Sequence, residues 1–511
     1  MAIPKSNKDL SDNKTILDQI VADKLANDQH NEKRALAEAG FTHIEGSRVM
    51  AIPKSNKDLS DNKTILDQIV ADKLANDQHN EKRALAEAGF THIEGCPDPS
   101  PLDPPPFTIK EIRAAIPPHC FERSLPVSLF HLAKNLFICG GLLCGATYID
   151  QVPVMVLRWA LWSLYWFFQG SYMTGIWVIA HECGHQAFSD STIINNTVGL
   201  ILHSALLVPY HSWRITHRQH HSNTGSCEND AIFVPVEKSV HATSRLNEAL
   251  EHSSLYNIYG ITITLTMGWI PGYLFFNASG PKKYEGKAKS HFNPFAVMFN
   301  DRERSMVVLS DVALVLTLLL LGLYTFYTSF GSLLAYYGIP YLIVNGYLVL
   351  ITYLQHTDTY IPHYRDGEWT WLRGALATVD RSFGSYLDGV LHHIADTHVL
   401  HHLFSVIPFY HAQEASEAVK PVLGALATVD RSFGSYLDGV LHHIADTHVL
   451  HHLFSVIPFY HAQEASEAVK PVLGKYYLKD TTSPLLAMWR SFNYCKFVED
   501  NCKTVFYKHK L

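Results

Sequence analysis

Four apolar stretches, at about 127–149, 159–180, 312–330 and 336–354, constrain this chain more than anything else in it. Each approaches the roughly 20 residues that a helix needs to cross a hydrocarbon core. Lipid offers backbone N–H and C=O groups no partners, so such stretches must close their hydrogen bonds internally, as helices. The expected fold is therefore all-α and integral to a membrane, with four transmembrane helices. Two further apolar pieces, about 193–210 and 255–277, are interrupted by His203 and His211, or by Gly260, Gly268, Pro271 and Gly272, and read as interfacial or re-entrant helices. Composition agrees: 17% charged and 12% aromatic residues lie on the apolar side of the usual balance.

Charge sets the expected orientation. The turns 145–157 and 327–340 hold no Lys or Arg, whereas the other loops carry Arg214, Arg218, Lys282, Lys283, Lys287, Lys289, Arg302 and Arg304. By the positive-inside rule both termini and the large middle loop face the cytosol. The start of the chain has no apolar segment of the signal-peptide kind, so insertion is expected from internal segments. A net charge of -7 gives no reason to expect nucleic acid. The 8 cysteines form no C-x-x-C pair, which argues against a disulfide framework or zinc ribbon.

Two segments occur twice without a change: 1–46 recurs as 50–95, and 374–423 recurs as 424–473. Repeat arrays diverge and stack in series. Two unrelated segments, each doubled once, read instead as recent duplications, and the working unit is the chain with one copy of each. The expected organisation is a duplicated N-terminal segment (1–49), a cytosolic N-terminal region (50–125), a membrane domain (126–360), a cap region (361–423), the second copy (424–473) and a cytosolic tail (474–511). An amphipathic helix is expected around Ile16 to Leu25, and an extended linker at 96–106, where repeated prolines exclude helix.

The chemistry lies in the histidines. His181-Glu-Cys-Gly-His185 ends the second apolar stretch, and its i, i+4 spacing puts both imidazoles on one helical face. His217-Arg-Gln-His220-His221 and His398-Val-Leu-His401-His402 are both H-x-x-H-H, in which i, i+3 and i+4 converge. A single metal takes three or four protein ligands, so this many nitrogens imply two metals in one pocket. Imidazole suits iron, copper and zinc alike. His119, His131, His203, His211, His252, His291, His363 and His411 read as packing or surface residues. Two other classes compete. His181 to His185 also satisfies H-E-x-x-H, the zinc protease pattern, but an intramembrane protease would leave both H-x-x-H-H clusters idle. A receptor or scaffold would leave all three unexplained.

With the strings Ala115-Ile-Pro-Pro-His-Cys-Phe, His181-Glu-Cys-Gly-His-Gln-Ala-Phe, His217-Arg-Gln-His-His-Ser-Asn-Thr-Gly and Asp396-Thr-His-Val-Leu-His-His-Leu-Phe-Ser, residues 105–477 resemble the membrane fatty acid desaturases, in their oleate delta-12 and omega-3 branch. The resemblance implies four spans and interfacial helices under a cytosolic histidine-rich cap, and a centre of two iron ions with O2 as co-substrate. It implies an acyl-lipid substrate, on phospholipid or coenzyme A, and electrons from a separate cytochrome b5 and its NADH reductase, since no His-Pro-Gly-Gly haem motif occurs here. The implied ligands are His181, His185, His217, His220, His221, His398, His401 and His402, with His356 after the fourth span as a ninth. The duplicate triplet His448, His451 and His452 is the alternative; the first is preferred because its distance from the fourth span is unaltered. The first box, with Glu182, favours delta-12 over omega-3 (delta-15), while Leu400, where delta-12 enzymes commonly have Ala, departs from it. The ending Tyr507-Lys-His-Lys-Leu511 resembles an endoplasmic reticulum retrieval signal.

Overall fold

A computed structural model describes residues 102–242, 253–392 and 480–509 continuously. It adds 44–45, 48–49, 80–88, 90–93 and 472–476, and the single residues 99, 394, 468 and 478. The expected helix at 16–25 and both third-box triplets lie outside the described residues. The chain divides into two units, Met1–Ala84 and Leu85–Leu511. In the first, β1 (Ile44–Glu45) pairs antiparallel with β2 (Arg48–Val49) across the end of the first N-terminal copy.

The second unit is helical. After α1 (Ile109–Ala115), closed by a Thr108/Glu111 capping box, come α2 (Leu125–Ala146) and the 30-residue α3 (Met155–Gly184). Next are α4 (Thr192–Ala205), α5 (Tyr210–Asn223) and α6 (Ser254–Met267), which runs on as a π-helical turn over Gly268–Phe275. Two long helices follow, α7 (Arg304–Tyr327) and α8 (Phe330–His356). The described C-terminal half adds β3 (His363–Tyr364), α9 (Trp371–Leu376), α10 (Ser385–Val390), α11 (Pro484–Tyr494) and β4 (Thr504–Val505), which pairs with β3.

Among the described residues four helices are long and apolar enough to cross a membrane: Leu125–Gln151, Ser254–Phe275, Arg304–Tyr327 and Phe330–His356. The number matches the sequence expectation, and the membership does not. The second expected span is α3, whose Trp, Tyr, Ser and Gln residues make it less apolar. Its position explains this. Packed among α2, α4 and α8, it buries Gln169, Ser171 and Thr174 against neighbours and so has little need of a lipid-compatible surface. Gly170 permits the close approach to α8, because a Cβ there would lie 2.7 Å from Ile343.

Ser254–Phe275, read from sequence as interfacial or re-entrant, has the length and composition to span. Yet Asn257 near its start bonds Asn493 of α11, and Asn277 just past its end bonds the Ala231 carbonyl. Both partners belong to the end of the bundle that carries the histidines, so the segment enters and leaves on one side.

That end is set by antiparallel packing. Ala146, Ile149, Trp162, Tyr165 and Tyr336 cluster at the opposite end, where α2 finishes, α3 starts and α7 turns into α8. There α8 contains a π-helical turn, Leu334–Gly338, and the carbonyls of Ala335 and Tyr336 accept hydrogen bonds from Trp166 (2.9 Å) and Tyr165 (2.8 Å). Carbonyls displaced from the regular ladder find side-chain donors, as an apolar surrounding demands. Arg158, just past the turn counted as free of basic residues, also lies at this end and donates to the Val152 carbonyl.

A second buried polar group ties the C-terminal half together. Arg381 bonds Asp480 at 2.7 Å and Asp358 at 3.2 Å; Arg490 reaches the same two carboxylates; and the Tyr360 hydroxyl donates to Asp480. Burial alone would raise Asp480, but the two guanidinium groups outweigh it and hold its carboxyl below the usual range. Arg381 belongs to the first copy of the repeated 374–423 segment, whereas the buried Ala468 and Leu473 belong to the second.

Candidate metal centre

The last turn of α3 carries His181 and His185, and α5 carries His217, His220 and His221. Chain geometry brings the two helices together: α4 and α5 meet at a bend of 107° ahead of Pro209, which returns α5 across the end of α3. The His211 backbone N–H then donates to Ser310 of α7 at 2.9 Å, which fixes the start of α5.

Four imidazoles converge through Nε2. The separations are 2.9 Å for His181–His217, 3.3 Å for His185–His181 and 3.0 Å for His221–His217. The ligand atoms of His181, His185 and His217 all lie within 4.8 Å of one another. His220 instead faces His356, the last residue of α8, with their Nε2 atoms 3.3 Å apart. Metal–nitrogen bonds of roughly 2.1 Å at angles between octahedral and tetrahedral put neighbouring nitrogens about 3.0–3.4 Å apart. The observed spacings fit that, and the nitrogens fall into a group of four and a pair, which suits two neighbouring ions. The expected third contributors, His398, His401 and His402, and their duplicates His448, His451 and His452, lie outside the described residues.

The surroundings orient these imidazoles and disfavour the charged form of several of them. Burial, and then the neighbouring imidazoles, hold His217 and His221 well below the ordinary histidine range, and burial takes His185 down to about 3. Neutral rings present a lone pair to a cation. Their tautomers are set from behind: Asp230 faces His220 Nδ1 at 2.8 Å, and Glu182 faces His181 Nδ1 at 3.1 Å. A carboxylate on Nδ1 leaves Nε2 as the ligand. Trp213 stacks on His217, Trp177 on His181 and Phe233 on His356, which fixes the ring planes. Glu182 therefore sits behind its neighbour's ring, on the Nδ1 side and away from the convergent nitrogens; the H-E-x-x-H protease chemistry would require it in front, facing a metal-bound water.

Asp230 was not singled out from sequence. Its signal is local: its Oδ1 also accepts the Ile232 and Phe233 amides, a side-chain-capped turn of the kind Asp favours. Two of the histidines read as packing residues, His291 and His203, are buried among side chains other than the convergent imidazoles. His291 bonds Thr216 and the Leu274 carbonyl; His203 lies between Trp177 and Trp213. His252 and His411 are outside the described residues.

In front of the imidazoles lies a cavity of about 440 Å³. His181, His217, His220 and His356 form one wall, and the rest is mostly apolar, with Ile263, Met267, Trp269, Val349 and Phe233. The π-helical turn at Gly268–Phe275 supplies part of its lining: Pro271 removes a donor from the ladder there, and Gly268 lets the turn pack closely on Val349.

Residues 157–434 match the fatty acid desaturase family model. Over 325 residues, 63% of this chain and 82% of the relative, the sequence is 50% identical to the Delta(12)-fatty-acid desaturase of Arabidopsis thaliana. It is 41% identical over 417 residues to the Delta(12) fatty acid desaturase of Mortierella alpina, covering 79% of this chain and 91% of that one. The omega-6 fatty acid desaturase, endoplasmic reticulum, of Brassica juncea is 49% identical over 327 residues, covering 63% of this chain and 83% of the relative.

Proposed function

Because the chain belongs to the fatty acid desaturase family, an oxidoreductase family, we propose that it inserts a double bond at the delta-12 position of oleoyl chains, giving linoleoyl chains, for polyunsaturated fatty acid synthesis. The observation that carries this reading is the apolar cavity walled by convergent imidazole nitrogens. An unactivated methylene offers neither an acidic proton nor a leaving group, so side chains alone cannot attack it. Two irons, with O2, supply the oxidising power when bound.

The protein's own part is positional. His181, His185, His217 and His221 are the proposed ligands of one iron, and His220 and His356 of the other. His398, His401 and His402 are proposed to complete the pair, with His448, His451 and His452 as the alternative set. The family match, 157–434, takes in the first triplet and stops short of the second, which supports the first. The mostly apolar lining removes water from the acyl chain, and the π-helical turn at Pro271 forms part of that lining.

The reading extends to a multi-pass protein of the endoplasmic reticulum with both termini and the histidine-bearing end cytosolic. The basic loops and the name of the Brassica relative support this. A separate cytochrome b5 with its NADH reductase would deliver electrons, and the acyl carrier is a phospholipid or coenzyme A. An omega-3 (delta-15) specificity is not favoured, since the relatives above are named delta-12 or omega-6.

Expression in a host that makes oleate but no linoleate tests the proposal. Linoleate should accumulate. A third double bond appearing only when linoleate is fed would replace delta-12 by omega-3, and unchanged lipids would overturn the desaturase reading.

A further inference from the structure

We infer that a buried hydrogen bond between Asn135 and His392 anchors the chain segment that brings the third histidine box to the metal centre, so that both act as positioning residues and the first copy of the repeat is the working one. The inference rests on the desaturase reading above and deepens it.

Asn135 lies in the interior of α2 and is only 2% exposed, while His392 follows α10 and is 5% exposed. The Asn135 Nδ2 is 2.7 Å from the His392 Nε2, and since an amide nitrogen only donates, the imidazole accepts. Within a helix bundle at membrane depth, a polar group that loses its partner finds no water in exchange.

The fit around this bond is specific. Gly175 of α3 is where the segment touches down: a Cβ there would lie 2.5 Å from the Val390 carbonyl and 3.0 Å from Asn135 Nδ2. His392 itself takes a left-handed φ of 51°, a conformation that a non-glycine residue keeps only when its surroundings impose it. Upstream, Tyr386 sits edge-on to Phe168 and Phe383 to Tyr347. Downstream, the Ile394 carbonyl accepts from Gln355 at 3.3 Å, next to the proposed ligand His356, and Ile394 lines the cavity.

The anchor thus controls where the chain arrives. His398 is four residues beyond Ile394, at most about 14 Å even if fully extended. Only one copy can fill the place beside Asn135 and Gly175, and His392, of the first copy, fills it.

The test uses the full chain in the oleate-producing host, reading linoleate in cells and iron per folded, purified chain. His392→Ala and Asn135→Ala should each lower product and retained iron by roughly tenfold or more, the size seen when groups behind metal ligands are removed. His442→Ala should leave both unchanged. His392→Gln, whose amide oxygen can accept from Asn135, should recover most of the iron. If His392→Ala yields no folded chain, His392→Asn and His442→Asn replace the alanine pair, and only the first should lose iron. Wild-type iron and product in the His392 variants, or loss in the His442 variants instead, would overturn the anchor. A wild-type chain that holds no iron and makes no linoleate would fail the desaturase reading itself, a result distinct from either.

Discussion

Among the described residues, the arginine–aspartate cluster and the imidazole cluster solve the problem of burying polar side chains in opposite ways. Asp358, Arg381, Asp480 and Arg490 balance two negative charges with two positive ones and bond to one another. The charges of that cluster are balanced as it stands. The imidazoles of His181, His185, His217 and His221 instead point acceptor nitrogens of like character at one point, with the Glu182 carboxylate behind His181 and indoles stacked on His181 and His217. A structural cluster closes on itself, whereas a binding cluster is organised from behind and left to be completed by something else.

The sharpest way to break the comparison is His217→Ala. His217 stands between His181 and His221, so its loss should abolish linoleate formation, by a factor of roughly 100 or more, and release iron, as read by metal analysis of the purified chain. Arg381→Met tests the charge-balanced cluster. It leaves the buried carboxylates of Asp358 and Asp480 sharing the single guanidinium of Arg490, and the uncompensated negative charge should cost about 3–5 kcal/mol and show as poor accumulation and a lowered melting temperature, with or without iron. Asp230→Asn keeps size but removes the charge behind His220, so iron retention should fall roughly 10- to 100-fold with a nearly unchanged melting temperature of the iron-free chain. The smallest effect belongs to His291→Gln, where a hydrogen bond to Thr216 is weakened outside the imidazole group; stability should change by about 1 kcal/mol and product should persist. A His291 variant that lost its iron would erase the boundary drawn between ligand and packing histidines.

Much of this was legible in the sequence because it depends on short spacings. The i, i+4 pair at His181 and His185 and the His217–His220–His221 pattern fix which side chains share a helical face, and the apolar stretches fix which helices are long. His356 came from family resemblance, and the structure places it beside His220. What was not legible depends on contacts between distant segments. Asp230 is one acidic residue in a polar loop until the fold sets it behind His220. Composition ranks α6 among the spanning helices and α3 below them, because apolarity measures exposure to lipid, and the C-terminal half of α3 is shielded by protein. Counting the turn 145–157 as free of basic residues likewise stopped one residue short of Arg158, which the helix start carries to the same end.

The chain enters the repeated region through buried first-copy residues, Arg381 and Ile394 among them, and leaves it through buried second-copy residues, Ala468 and Leu473. Both attachment points are therefore held whatever number of copies lies between them. A gene product with one copy and a gene product with two are thus expected to share both attachments, and what the extra segment changes is which triplet of ligands arrives at the metal centre.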